Sequence, residues 1–171
     1  PNAGHRALAQ LERKGKLAVT VTQNVDGLHQ KAGSEPARVI EIHGTVHEFV
    51  CMQCGESGEI ERALERVRAG EDDPPCRSCG GILKSATISF GQALIPEVLA
   101  RCEREAARCD LFLAIGTTLG VYPAAALPAT ALRNGASLAI LNAQETPYDE
   151  YAAVVIRHQL GEVLPALAAL V

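Results

Sequence analysis

No apolar run in this sequence approaches the ~20 residues that a helix needs to cross a bilayer, and no tract is of low complexity. The first absence excludes a membrane-spanning helix. The second, with 47% hydrophobic and 21% charged residues, points to a soluble globular protein. Positive charge is also short: Lys and Arg number 16 against 20 Asp and Glu, a formal net charge of -4. A sequence-independent hold on phosphate backbones needs clustered Lys and Arg, so nucleic acid is not expected as a direct ligand. The six cysteines, four of them in Cys-x-x-Cys pairs in a sequence with no legible secretory signal, are expected to serve metal or redox chemistry rather than disulfides, and the chain is expected in the reducing cytoplasm. Methionine occurs once, at Met52, and a helix pattern follows Pro1-Asn2 at once. Such a start is expected of a fragment, or of a chain whose beginning was removed.

The 171 residues suffice for one ordinary domain, or a domain with one small module, burying about 70% of the unfolded surface. Asn2 can cap a helix with Ala7, Leu8 and Leu11 at helical spacing, and Gly15 stops it. Strands are expected at 17–22 and 38–43, where β-branched and apolar residues run together. A helix over 59–70 puts Ile60, Leu64 and Val67 on one face. The second half alternates cleanly: helix 96–109, strand 110–116, helix 124–135, strand 136–142, strand 153–157 and helix 160–170. Strands rich in Val, Ile and Leu between helices imply an α/β fold, a doubly wound parallel sheet covered on both faces. In such sheets ligands bind beyond the carboxyl ends of the strands. Residues 46–83 interrupt the alternation and read as a small inserted module, leaving 1–45 and 84–171 as the larger Rossmann-like domain.

Four cysteines form two pairs, Cys51-x-x-Cys54 and Cys76-x-x-Cys79, separated by 21 residues. Each pair aims two thiolates at one point, and two pairs complete the tetrahedron that zinc prefers. Gly55 and Gly80 follow the pairs and permit a tight turn. A redox dithiol and an iron–sulfur site are the alternatives; two matched pairs and a closed four-thiolate set favour structural zinc. His47 is not needed to complete that set. Cys102 and Cys109 stand seven apart on an expected helix and read as small buried hydrophobes.

His43 ends an apolar strand and precedes Gly44, at the rim where ligands bind. "TVTQNVDGLHQKAG", "EIHG", the two cysteine pairs, "ISFG", "AIGTTLGVYPAA" and "ILN" follow one another in an order that resembles the sirtuins, NAD-dependent protein deacylases. The resemblance covers essentially the whole chain. It implies NAD and zinc as cofactors and acyl-lysine proteins or peptides as substrates. It also implies that Gln23, Asn24, Val25 and Asp26 line the pocket for nicotinamide and its ribose, and that His43 is the general base. Gly116, Thr117 and Thr118 would hold phosphate and ribose, while Asn142, Ala143, Gln144 and Leu160 would reach the adenosine end. Ile88, Ser89, Phe90 and Gly91 would offer backbone hydrogen bonds to the substrate peptide, by strand addition.

Three departures accompany the resemblance. The family's first strand and glycine-rich phosphate loop would precede "PNAGH", so the Rossmann-like domain is expected to be N-terminally truncated. Thr118 stands where the family usually has Ser, and Gln92 where Glu is common, with "KSAT" in place of a Pro-containing run. An inactive sirtuin fragment or a non-catalytic zinc-stabilised interaction module is the alternative reading.

Overall fold

Asn2 opens the first helix, α1 (Ala3–Arg13), by accepting the His5 amide at 3.0 Å, and Gly15 follows at φ +70°. The computed structural model describes residues 1–171. α1 lays Ala7, Leu8 and Leu11 against Leu164 and Ala168 of α6 (Leu160–Leu170) and against Ala139 and Leu141 of strand β7 (Ser137–Leu141). On the other face of β7, Leu138 and Ile140 pack with Ala114 and Leu119. Both faces of β7 are therefore buried, which is why the "LAIL" that follows Ser137 is a continuous apolar run rather than an alternating one.

The architecture is the expected α/β, with parallel strands alternating with helices. Those strands fall in two sheets rather than one continuous ladder. β1 (Thr20–Thr22) pairs in parallel with β2 (Val39–Glu41). β6 (Leu111–Ile115), β7 and β8 (Val154–Ile156) form the other parallel sheet in that order. Helix α4 (Pro96–Arg108) covers the first sheet through Cys102 and Ala106, which meet Ile40 and Ile42. Cys102 is fully buried as expected; Cys109 instead lies at the helix cap, half-buried, its thiol donating to the Ala106 carbonyl at 3.3 Å. The helix expected over 124–135 splits into a 3-10 turn, Ala124–Ala126, and α5 (Leu127–Arg133). Pro128 explains the break, because it has no N–H to return to the carbonyl four residues earlier.

The sequence pattern did not single out the remaining elements: the short helix α2 (Leu28–Lys31) and an antiparallel sheet of β3 (Gly44–Cys51), β4 (Ser57–Glu59) and β5 (Leu83–Thr87). β3 lies between the other two. Helix α3 (Ile60–Arg68) packs on β3 but buries only Ala63; Leu64 and Val67 of its expected apolar face stay 38% and 45% exposed. Gly44 sits at φ +75°, and a Cβ there would collide with the Ala86 carbonyl oxygen. Only glycine lets β3 leave the parallel sheet so closely against β5.

Candidate functional site

Three strand ends meet at one rim. β1 runs out into Gln23, whose Nε2 donates to Thr117 Oγ1 at 3.3 Å, just beyond the end of β6. β2 stops at Glu41, two residues before the expected end, although the Ile42 amide still donates to the Thr22 carbonyl at 3.0 Å. His43 therefore lies in the turn between β2 and β3, half-buried, with Nδ1 3.1 Å from the Gln23 carbonyl oxygen. A carbonyl oxygen can only accept, so Nδ1 carries the proton and Nε2 of the neutral ring keeps its lone pair. That is the tautomer a general base needs.

The loop after β1 is pinned at every residue. The Asn24 amide donates to Thr22 Oγ1 at 3.1 Å, and the Val25 carbonyl accepts from the Val46 amide at 3.0 Å. Asp26 Oδ1 accepts the Leu28 amide at 3.0 Å, while its carbonyl accepts His47 Nε2 at 2.9 Å. Gly27, at φ +65°, lies directly under the His47 ring, where a Cβ would be 2.8 Å from Nε2. The loop backbone is thereby fixed, and the Asn24 side chain remains exposed.

At the end of β6, Gly116 adopts φ +61°, and a Cβ there would meet Leu160 Cδ1 at 3.2 Å. The Gly116 amide donates to the Leu141 carbonyl at 2.9 Å, tying this turn to the end of β7. The next two amides, of Thr117 and Thr118, find no acceptor within the chain, while Thr117 Oγ1 accepts the Leu119 amide at 3.1 Å. Leu119 is buried at φ +54°, a conformation that non-glycine residues rarely take. Free amides in such a turn suit phosphate oxygens. Beyond β7, Asn142 is 8% exposed, and its Nδ2 donates to the Gln144 carbonyl at 2.9 Å. Ala143 and Gln144 beside it are exposed, and Leu160 begins α6.

The 88–91 segment reaches this rim through one bond, from the Ile88 amide to the His43 carbonyl at 2.8 Å. β5 ends at Thr87, and Ser89 through Gln92 form a turn in which the Gln92 amide and side chain engage both backbone groups of Ser89, at 2.9 and 3.2 Å. Phe90 stands 98% exposed and Gly91 takes φ +83°.

Cys51, Cys54, Cys76 and Cys79 converge with all four sulfurs within 4.8 Å of one another. The Cys51–Cys79 and Cys54–Cys76 sulfurs are 3.5 and 3.6 Å apart. A Zn–S bond of about 2.3 Å implies tetrahedron edges of about 3.8 Å, so the set fits zinc. Amides of Gln53 and Gly81 donate to the Cys51 and Cys79 sulfurs, both at 3.4 Å, as thiolates require. The Cys54 backbone N–H chiefly holds the Cys51 thiol down at about 6, and the Glu56 carboxylate, accepting the Cys76 thiol at 2.8 Å, chiefly pushes Cys76 up to about 12. His47 is not among the four. Its bond to the Asp26 carbonyl, like that from Val46, carries no sequence signal, because it depends on how β3 crosses the loop.

Comparison with known proteins agrees with this geometry. The Sir2 family model matches residues 1–123. The chain is 52% identical to NAD-dependent protein deacetylase 2 of Streptomyces coelicolor, over 98% of this chain and 69% of that protein. It is 46% identical to NAD-dependent protein deacetylase 1 of Pyrobaculum aerophilum, over 98% of this chain and 64% of the relative. A solved structure described as Sir2-p53 peptide-NAD+ superposes with a TM-score of 0.91 at 35% identity, covering 99% of this chain and 69% of its own. An α/β fold with a histidine at the rim and a four-cysteine cluster is thus the sirtuin class. The chain belongs to the Sir2 family, and it spans roughly two thirds of the length of these relatives.

Proposed function

We propose that the chain forms the larger part of an NAD-dependent protein lysine deacylase, a deacetylase in the first instance, with His43 as its general base. The carrying observation is the bond from His43 Nδ1 to the Gln23 carbonyl, which leaves Nε2 free at the meeting point of the strand ends. NAD, when bound, supplies the ribose that takes the acyl group and gives up nicotinamide. His43 Nε2 draws a proton from a ribose hydroxyl. Gln23, Asn24 and Asp26, with Val25 among them, orient the nicotinamide end by complementary hydrogen bonds. Thr117 and Thr118 offer amides and hydroxyls to phosphate and ribose at Gly116, and Asn142, Ala143, Gln144 and the backbone at Leu160 serve the adenosine end. The acyl-lysine peptide lies along Ile88–Gly91, where the Phe90 and Gly91 backbone groups have no partner within the chain.

Cys51, Cys54, Cys76 and Cys79 hold a structural zinc in this reading. Residues 46–83 then act as a small zinc module inserted between 1–45 and 84–171, the Rossmann-like part. The antiparallel order β4-β3-β5 supports an inserted module, since every other sheet is parallel, and extends it slightly beyond both bounds, from Gly44 to Thr87. No helix is long and apolar enough to cross a membrane. None of the six cysteines is in a disulfide, which suits a reducing cytoplasm. A second reading, an inactive sirtuin fragment or a non-catalytic zinc-stabilised interaction module, draws on the 64% of the Pyrobaculum aerophilum relative that the chain spans.

The test is incubation with NAD and an acetyl-lysine peptide, following deacetylated peptide and nicotinamide by mass. His43→Ala is expected to lower turnover by about 10²–10⁴-fold, the usual reach of a general base, with melting temperature and zinc content unchanged. Equal turnover in wild type and His43→Ala would sink the mechanism. No turnover in either, with zinc bound and the fold intact, favours the non-catalytic reading.

A further inference from the structure

Arg157 follows β8 directly, yet its guanidinium serves the end of β7. Nη1 donates to two carbonyl oxygens, Asn142 at 3.0 Å and Gln144 at 2.6 Å. Nη2 pairs with the Asp149 carboxylate, and Asp149 Oδ1 accepts the Thr146 hydroxyl at 2.8 Å. Thr146 Oγ1 in turn accepts the Tyr148 amide at 3.3 Å. One cation thus closes the whole 142–149 excursion onto the strand end from which it left. The Gln144 carbonyl that Arg157 holds is the same oxygen that takes Asn142 Nδ2 at 2.9 Å. With one Nδ2 proton so engaged, the carboxamide of buried Asn142 is held in one orientation and presents Oδ1, an acceptor suited to a hydroxyl donor, beside the second Nδ2 proton.

We infer that Arg157 is a positioning residue for the adenosine half of the dinucleotide, fixing the Asn142–Gln144 backbone and the orientation of the Asn142 carboxamide. The inference rests on the NAD-dependent reading proposed above. Arg157 touches no reacting atom in this scheme. It acts through charge-assisted bonds to carbonyls, which a planar fork makes better than a lysine can. The Asp149 partner completes the device: its carboxyl is held below the usual range, first by the Thr146 hydroxyl and also by Arg157, so it stays ionised and anchors the guanidinium. The nicotinamide end, at Gln23–Asp26, lies on a different sheet and makes no bond to this network.

The experiment titrates wild type, Arg157→Ala, Arg157→Lys and Asp149→Asn with NAD and with ADP-ribose by calorimetry, and measures KM for NAD and kcat on an acetyl-lysine peptide. Arg157→Ala is expected to raise both dissociation constants and the KM about tenfold, with kcat at saturating NAD within about twofold of wild type. Arg157→Lys, which keeps the charge and one carbonyl bond, falls between, and Asp149→Asn weakens binding about threefold. Nicotinamide inhibition, which reads the other end of the site, stays at the wild-type level. Unchanged NAD and ADP-ribose affinity in Arg157→Ala overturns the inference, as does a fall in kcat with KM unmoved. Should Arg157→Ala fail to fold, Asp149→Asn decides, because it loosens the guanidinium without removing it, and unchanged affinity there overturns the inference too. A folded wild-type chain that binds neither ligand overturns the NAD-dependent reading itself, a result distinct from either.

Discussion

Between Gly44 and Thr87 the buried apolar residues are Phe49, Ala63 and two of the cysteines, Cys51 and Cys76; around α1, α6 and β7 a single cluster packs seven. The antiparallel sheet has three strands and a helix, as much regular structure as a small domain, and almost no core. The parallel strands have the reverse, with β7 buried on both faces and helices over each. Apolar burial at about 25 cal/mol per Å² can hold the second together. It cannot hold the first, where Leu64, Val67, Met52 and Ile82 all remain exposed. One chain therefore uses two sources of order. Apolar packing fixes the rim on which His43 sits; in the proposed reading a zinc ion held by the four cysteines fixes the sheet that leaves that rim at Gly44.

Removing the metal is the strongest way to break this comparison. Structural zinc contributes on the order of 10–16 kcal/mol in small zinc modules, far more than the burial available in this segment. Chelation, or Cys76→Ser, is expected to abolish hydrogen-exchange protection of the Phe49 and Val50 amides, which lie in the β3 ladders. Amides of Leu138–Leu141 are expected to keep theirs. If both sets lose protection together, the two regions share one cooperative unit and the contrast fails.

Acid should find the parallel region by a different route. The His5 and His29 rings meet between α1 and α2 with centroids 4.9 Å apart and planes tilted by 58°, and His29 Nδ1 is buried without a partner. Burial is the first cause that lowers both from 6.5; the His5 ring adds to this at His29, the N-terminal amine and Arg6 add to it at His5, and Asp26 works against it at both. Below 6.5 the unfolded chain binds these protons more readily than the folded one, so stability rises with pH in that window and is lost as pH falls through it. Urea midpoints measured downward from neutral pH should fall, and His29→Asn should flatten the decline. A slope untouched by His29→Asn would assign the acid sensitivity elsewhere.

What the sequence could and could not show divides along the same line. Helix α6 was legible because apolar residues that pack on a fixed core recur at helical spacing, and β7 because a strand buried on both faces is a short continuous apolar run. The cysteine pairs were legible because metal geometry dictates their spacing. His43 was singled out by an ordered series of motifs, and the structure places it at the turn between β2 and β3. β3 escaped because its register shifts between Gly44 and Phe49, which spoils the two-residue alternation, and because its outward face is unburied. The division of the parallel strands into two sheets escaped too, since no local pattern says which strand edges meet. Arg157 was invisible for a related reason: its partners lie 8 to 15 residues away, and only the closure of the 142–149 loop brings them within reach.

The two regions touch through β3, and His47 tests that joint with the smallest expected effect. The sequence left His47 without a task, and its ring lies outside the thiolate cluster. Nε2 must carry a proton to donate to the Asp26 carbonyl at 2.9 Å, so Lys31 Nζ, 3.4 Å from the same nitrogen, is a neighbour and not a donor to it. The Val46 amide already fixes the adjacent Val25 carbonyl, so His47 supplies the second of two braces from β3 to the loop. A single exposed hydrogen bond is worth about 0.5–1.5 kcal/mol, and His47→Ala should cost no more than that in urea. Because the loss falls on the backbone of the Gln23–Asp26 loop, it should appear as weaker nicotinamide inhibition, with zinc content unchanged, and His47→Gln, which restores a donor, should recover part of it. Zinc loss in His47→Ala would show instead that the brace runs the other way, with the packed rim ordering the thiolate sheet.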